Sequence, residues 1–225
     1  MKISWLGHAA FRITSGNGTS IITDPYEPAT SGYAPYREPA DVVIISSATD
    51  DFHNNTHLVP GNHETINALD LARTGETLTT HGFTVTAIEA MEALSHRDFH
   101  PDQNGMVRLV IDGVSIGHMG DMGNPLTDSQ ISFFEHVDVL LALTGGFPTI
   151  PMPDLLTAIS RIQPKLVIPM HFRTLTYKPR SQFWIEEFLR HFPKEQVDFA
   201  CDHEIRLTPA TLPTSTRIMV LDYAR

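Results

Sequence analysis

Four places along the chain set imidazoles and carboxylates directly after strand-like runs: Asp50 with His53, then His96, then Asp121, then His171. Neutral imidazole combined with carboxylate suits zinc or another divalent transition metal, and the single cysteine, Cys201, offers no thiolate near them in sequence. Each residue alone also has a plainer reading. His171 could be a hydrogen-bonded strand-end histidine. Asp121, between Gly120 and Gly123, could be a turn residue. His96 could be a solvated loop histidine, and Asp50, Asp51 and His53 could form an Asx-type turn and helix cap. Jointly they point to metal, because strand ends hold ligands on rigid scaffolding and an acid pair for proton transfer needs few imidazoles. Twelve histidines strengthen that reading.

The elements that must position these groups fall into two halves. Lys2 to Leu6, Phe11 to Thr14 and Ser20 to Thr23 read as short strands divided by Gly-rich turns. Glu27 to Pro39, with three prolines, reads as loop. Asp41 to Ser46 is a continuous apolar run, as in a strand covered on both faces, and a polar loop follows to Asn62. Phe83 to Ile88, Val107 to Ile111 and Val114 to Gly117 read as strands, the last pair joined by an Asp112-Gly113 hairpin turn. Beyond them the pattern alternates. Thr127 to Gln130 fits a capping box opening a helix to His136. Val137 to Leu143 and Lys165 to Met170 are buried strands, Met152 to Ile162 and Ser181 to His191 are helices, and Ile205 to Thr208 and Ile218 to Leu221 are closing strands. No internal repeat or linker divides the chain, so one domain over 1–225 is expected, with sheets packed together and helices outside.

Composition narrows the function classes. Net charge is -10, with 16 Lys+Arg against 26 Asp+Glu, and no basic run offers a track for nucleic acid. One cysteine excludes an internal disulfide and fits a reduced, cytoplasmic setting. No signal-peptide pattern opens the chain and no apolar window is long enough to span a bilayer, so a soluble protein without membrane partners is expected. Assembly into a homo-oligomer is left open.

At the same residues the sequence resembles the metallo-β-lactamase superfamily, and within it the hydrolases related to ascorbate-6-phosphate lactonase. The resemblance runs through Trp5 to Ile13, Ile21 to Pro25, Asp41 to Ser46, Gly117 to Asp121 and Ile168 to His171. It implies an α+β fold, an αββα sandwich with a metal site along one edge of two mixed sheets. It also implies a metal-bound water as nucleophile on a small ester, lactone or phosphoester, its pKa lowered towards ~7. Carried over by motif, the ligands are Asp50, His53, His96, Asp121 and His171, with Asp50 and Asp121 catalytic. His8, Asp24 and His118 are implied to stand behind them as orienting partners.

One motif departs from the family. Where His-x-His-x-Asp-His is expected, the chain reads Ala48-Thr49-Asp50-Asp51-Phe52-His53. Two imidazole positions become alanine and aspartate, and Phe52 replaces the aspartate that would bind a second metal. One ion is therefore favoured over two, with zinc first and manganese or iron as rivals, since carboxylate hardens the site. Asp51 is a further candidate proton acceptor and His100 a spare imidazole. Arg173, with Lys178 and Arg180 near it, could meet an anionic group on a small-molecule substrate; all three could equally be solvated surface charges. The competing function is a catalytically degenerate member serving as a ligand-binding or assembly module. An RNA-processing nuclease is disfavoured by the short, acidic chain.

Overall fold

A computed structural model of the chain describes residues 1–48, 52–92 and 104–225. The expectations for Asp50, Asp51, His96 and His100 lie outside the described residues.

β1 (Lys2–Gly7), β2 (Ala10–Thr14) and β3 (Ser20–Thr23) form an antiparallel meander, continued in parallel by β4 (Val42–Ile45) and β5 (Glu64–Asn67). β13 (Glu204–Arg206) completes this first sheet on the free side of β1. The second sheet starts antiparallel, through β6 (Leu78–Thr80), β7 (Phe83–Ala90), β8 (Asn104–Ile111) and β9 (Val114–His118). It continues in parallel through β10 (Val139–Leu143), β11 (Leu166–Met170), β14 (Arg217–Val220) and β12 (Val197–Phe199).

Strand composition explains the layering. In β4, Val42 and Ile44 join the main core with residues of both sheets, whereas Val43 and Ile45 join a smaller cluster with Ile22, Ala40 and Val59. Successive side chains point to opposite faces, so an all-apolar strand needs cover on both. β10 and β11 are buried at every position. α4 (Met152–Ile162) presents Met152, Leu155, Ala158, Ile159 and Ile162 to the core, the spacing of one helical face. Because β9, β10 and β11 run parallel, their C-terminal ends open at one sheet edge, and Asp121 and His171 follow two of those ends.

Several local expectations hold in detail. The Asp112-Gly113 turn has φ of 53° and 74°, the pair of left-handed residues that a type I′ hairpin needs. Thr127 and Gln130 form a reciprocal capping box at the start of α3 (Asp128–Phe134). Others do not. The proline-rich loop holds a short α1 (Pro28–Ser31), N-capped by Glu27. The helix expected from Ser181 starts only at α5 (Ile185–Leu189), because Phe183 and Trp184 are held extended: the Phe183 amide donates to Gly145 O, and Trp184 bridges Arg173. β5, α2 (Ala68–Thr74), β6 and β12 were not anticipated. Their burial patterns carry little apolar periodicity, and β6 and β12 lie at sheet edges. Among the described residues no helix is long and apolar enough to cross a membrane.

Candidate metal centre

His53, Asp121 and His171 converge at the shared strand edge. Asp121 Oδ1 lies 3.2 Å from His171 Nε2, and Oδ2 lies 3.8 Å from His53 Nδ1. The two imidazole planes are nearly parallel, 4° apart, with centroids separated by 6.2 Å. A third ring joins them. His8, in the turn between β1 and β2, lies 3.9 Å from the His171 ring and 5.0 Å from the His53 ring. One potential ligand atom from each of the three histidines falls within 4.8 Å of the others, and all three residues are buried. The structure thus sets His8 level with His53 and His171, where the sequence suggested an orienting partner behind them.

Asp24 and His118 do sit behind the cluster. Asp24 accepts from the Ser46 amide (2.6 Å) and the Ser46 hydroxyl (2.7 Å), fixing the point where the chain leaves β4 for His53. Its burial raises the carboxyl above the ordinary value of 3.8, with His118 and then His53 pulling the other way. His118 accepts the Gly120 N–H at Nδ1 (2.9 Å), which leaves the proton on Nε2 to donate to Ala9 O (2.9 Å). Both of its nitrogens are used, so it ties β9 to the His8–Ala9 turn. Burial lowers its pKa, Asp24 opposing.

Asn104 is a positioning residue that the sequence did not flag. It is fully buried, and its Oδ1 accepts the Asp121 N–H at 2.9 Å while its Nδ2 donates to Met119 O at 3.4 Å. A lone asparagine opening a strand carries no motif, so no sequence signal could have found it. Gly120 completes the arrangement. At φ 61°, a Cβ there would lie 2.5 Å from Asn104 Oδ1 and 2.8 Å from Ser46 Cβ.

The site fits a cation by its donors. His8 Nδ1, His171 Nδ1 and Asp121 Oδ1 are buried without a hydrogen-bond partner among the described residues. Unpaired buried polar atoms are costly, and an electron-pair acceptor bound among these side chains would satisfy them. Burial pushes the His8 imidazole well below 6.5, and its neighbours His171 and His53 push it further, which keeps its lone pairs available. Imidazole nitrogens on one tetrahedral ion at ~2.0–2.1 Å lie roughly 3.4 Å apart. Here the three nitrogens fall within 4.8 Å of one another, so the rings would draw together on an ion.

The model of the family described as the beta-lactamase superfamily domain matches residues 2–171. The chain belongs to this superfamily, in its metallo-β-lactamase fold. Among relatives, a metal-dependent hydrolase from Anaeromyxobacter dehalogenans is 28% identical over 205 residues, covering 77% of this chain and 75% of that one. Another so named, from Methanoculleus marisnigri, is 28% identical over 207 residues, covering 84% and 88%. A Thermotoga maritima structure, described as a candidate zinc-dependent hydrolase of the metallo-β-lactamase superfamily, superposes with TM-score 0.77, 27% identity and 99% coverage of both chains. At the two positions where the sequence departs from the expected motif, Ala48 is exposed and the Phe52 ring lies 5.0 Å from that of His8.

Of the cationic residues, Arg173 stacks its guanidinium over Trp184, 4.7 Å from the ring centroid. They line a cleft of about 750 Å³ with Arg180 and Gln182, where Glu186 and Glu187 balance the two arginines. Lys178 is directed elsewhere and donates to Ala29 O.

Proposed function

We propose that the chain is a metal-dependent hydrolase acting on a small ester, lactone or phosphoester. The observation that carries this is the grouping of three buried imidazoles within 4.8 Å of one another, two of them 3.2 and 3.8 Å from the Asp121 carboxylate oxygens. The relatives named metal-dependent hydrolases support it, as does the zinc-dependent description of the Thermotoga neighbour. The opening Trp5 to Ile13 segment, which resembles ascorbate-6-phosphate lactonase relatives, favours a lactone.

A divalent ion held here, zinc before manganese or iron, supplies Lewis acidity that lowers the pKa of water and polarises the substrate oxygen. His53 and His171 offer nitrogen ligands and Asp121 one oxygen. In this reading the second oxygen of Asp121 would accept the proton of an attacking water. Asn104 and His118 keep that carboxylate in register, and the buried rings exclude bulk water behind it. Arg173 is the group proposed to meet an anionic substituent, braced by Trp184.

The test is elemental analysis of protein purified in metal-supplemented buffer, with hydrolysis assays on lactones and phosphodiesters. About one equivalent of a transition metal, and activity lost in Asp121→Ala, are expected; less than about a tenth of an equivalent would overturn the reading. A second reading, a catalytically degenerate binding or assembly module, is favoured by Phe52, which puts a hydrocarbon ring beside His8 where relatives of the motif carry an acid. Equal activity of parent and Asp121→Ala on every substrate, including none in either, would favour that reading.

A further inference from the structure

We propose that His8 is itself a metal ligand, completing a set of three imidazoles with His53 and His171 and taking the place of the imidazole that Ala48 lacks. The inference rests on the metal-dependent reading above.

His8 is held as a preorganised ligand would be. It adopts φ 53°, a left-handed conformation uncommon for a non-glycine residue. Surrounding it are four hydrogen bonds onto two consecutive carbonyls. Trp5 Nε1 and the His171 amide both donate to His8 O at 3.0 Å. His118 Nε2 (2.9 Å) and Thr23 Oγ1 (3.1 Å) both donate to Ala9 O. β1, β3, β9 and the exit of β11 thus all clamp one turn, and its product is the orientation of one side chain.

That side chain is 2% exposed, and its Nδ1 has no hydrogen-bond partner among the described residues. A ring present only for packing would not need such anchoring and would not leave a nitrogen unpaired beside two other imidazoles. Phe52 lies at 31° to the His8 ring, 5.0 Å away, and 6.4 Å from the Tyr177 ring. Phenylalanine offers no donor atom. The side of His8 facing Phe52 is therefore hydrocarbon, whereas the side towards His53 and His171 is lined by imidazoles.

The experiment is zinc titration against a competing chelator, with zinc-edge X-ray absorption to count coordinated imidazoles, on parent protein and on His8→Asn. Asparagine tolerates the left-handed backbone and is too short to replace the ring. The expected result is about one zinc per chain in the parent. The variant should bind more than about 100-fold more weakly, beyond the usual effect of an orienting partner, and lose one imidazole from the count. An unchanged imidazole count in a folded variant overturns the role of His8 while leaving the hydrolase reading standing. No zinc bound by the parent overturns both. Should His8→Asn not fold, the count in a His96→Ala background decides: three imidazoles support the proposal and two refute it.

Discussion

The His171 amide donates to the carbonyl of His8 at 3.0 Å, and the imidazoles of the same two residues lie 3.9 Å apart. The exit of a strand in the second sheet is thereby fixed against the first turn of the first sheet. Both backbones are left-handed at these positions, with φ of 53° and 56°. The candidate metal centre is a seam between sheets, and its geometry depends on backbone bonds as much as on the side chains.

Asn104→Ala removes the acceptor of the Asp121 amide. Activity should fall about 10- to 100-fold, as for loss of an orienting partner of a metal ligand, and stability by about 1–3 kcal/mol for the orphaned N–H. Steady-state kinetics and urea unfolding check both, and unchanged kinetics would remove Asn104 from the positioning role.

Gly120→Ala places a methyl 2.5 Å from Asn104 Oδ1 at a backbone φ of 61°. Strain and clash combine, so a loss of about 2 kcal/mol or more is expected. A thermal midpoint within a degree or so of the parent would contradict the close approach.

The pH dependence of stability has a defined sign at His118. Burial lowers its pKa from 6.5, against the pull of Asp24, so the folded chain holds it neutral while the unfolded chain takes up a proton. The stabilisation is complete above 6.5 and is lost as pH falls below it, with a slope of up to about 1.4 kcal/mol per pH unit. In metal-free protein, His118→Gln should flatten denaturation free energy against pH in that range. Parallel curves for the two proteins would show that His118 does not contribute.

Arg173→Ala should raise KM for a substrate bearing an anionic group by about tenfold, the scale of one charge-assisted hydrogen bond, and leave kcat nearly unchanged. A neutral analogue serves as the control. Equal KM changes for both substrates would mean that Arg173 acts only by packing on Trp184.

Much of this was legible in the sequence because particular residues carry strong local rules. The apolar run Asp41 to Ser46 read as a strand covered twice, Asp112-Gly113 as a hairpin turn, and the Thr127–Gln130 pair as a capping box opening a helix. His53, Asp121 and His171 were found from strand exits, and the structure brings these three together. His8 was placed differently because its orientation comes from Thr23, His118 and His171, residues far from it in sequence. Asn104 and Gly120 act through one close approach that no periodicity encodes. The late start of α5 follows from Phe183 bonding Gly145, a contact invisible to helix propensity.

The first sheet depends on a segment beyond the span of the family match. β13 pairs Glu204, Ile205 and Arg206 with Ser4, Ile3 and Lys2, and the Ala224 amide donates to Trp5 O. Residues about 200 positions apart must meet before that margin is sealed. A chain emerging from the ribosome therefore carries a bare row of amides and carbonyls along Lys2 to Ser4 until Glu204 to Arg206 have been made. In that interval the strand that leads to His8 is a template for pairing with other chains.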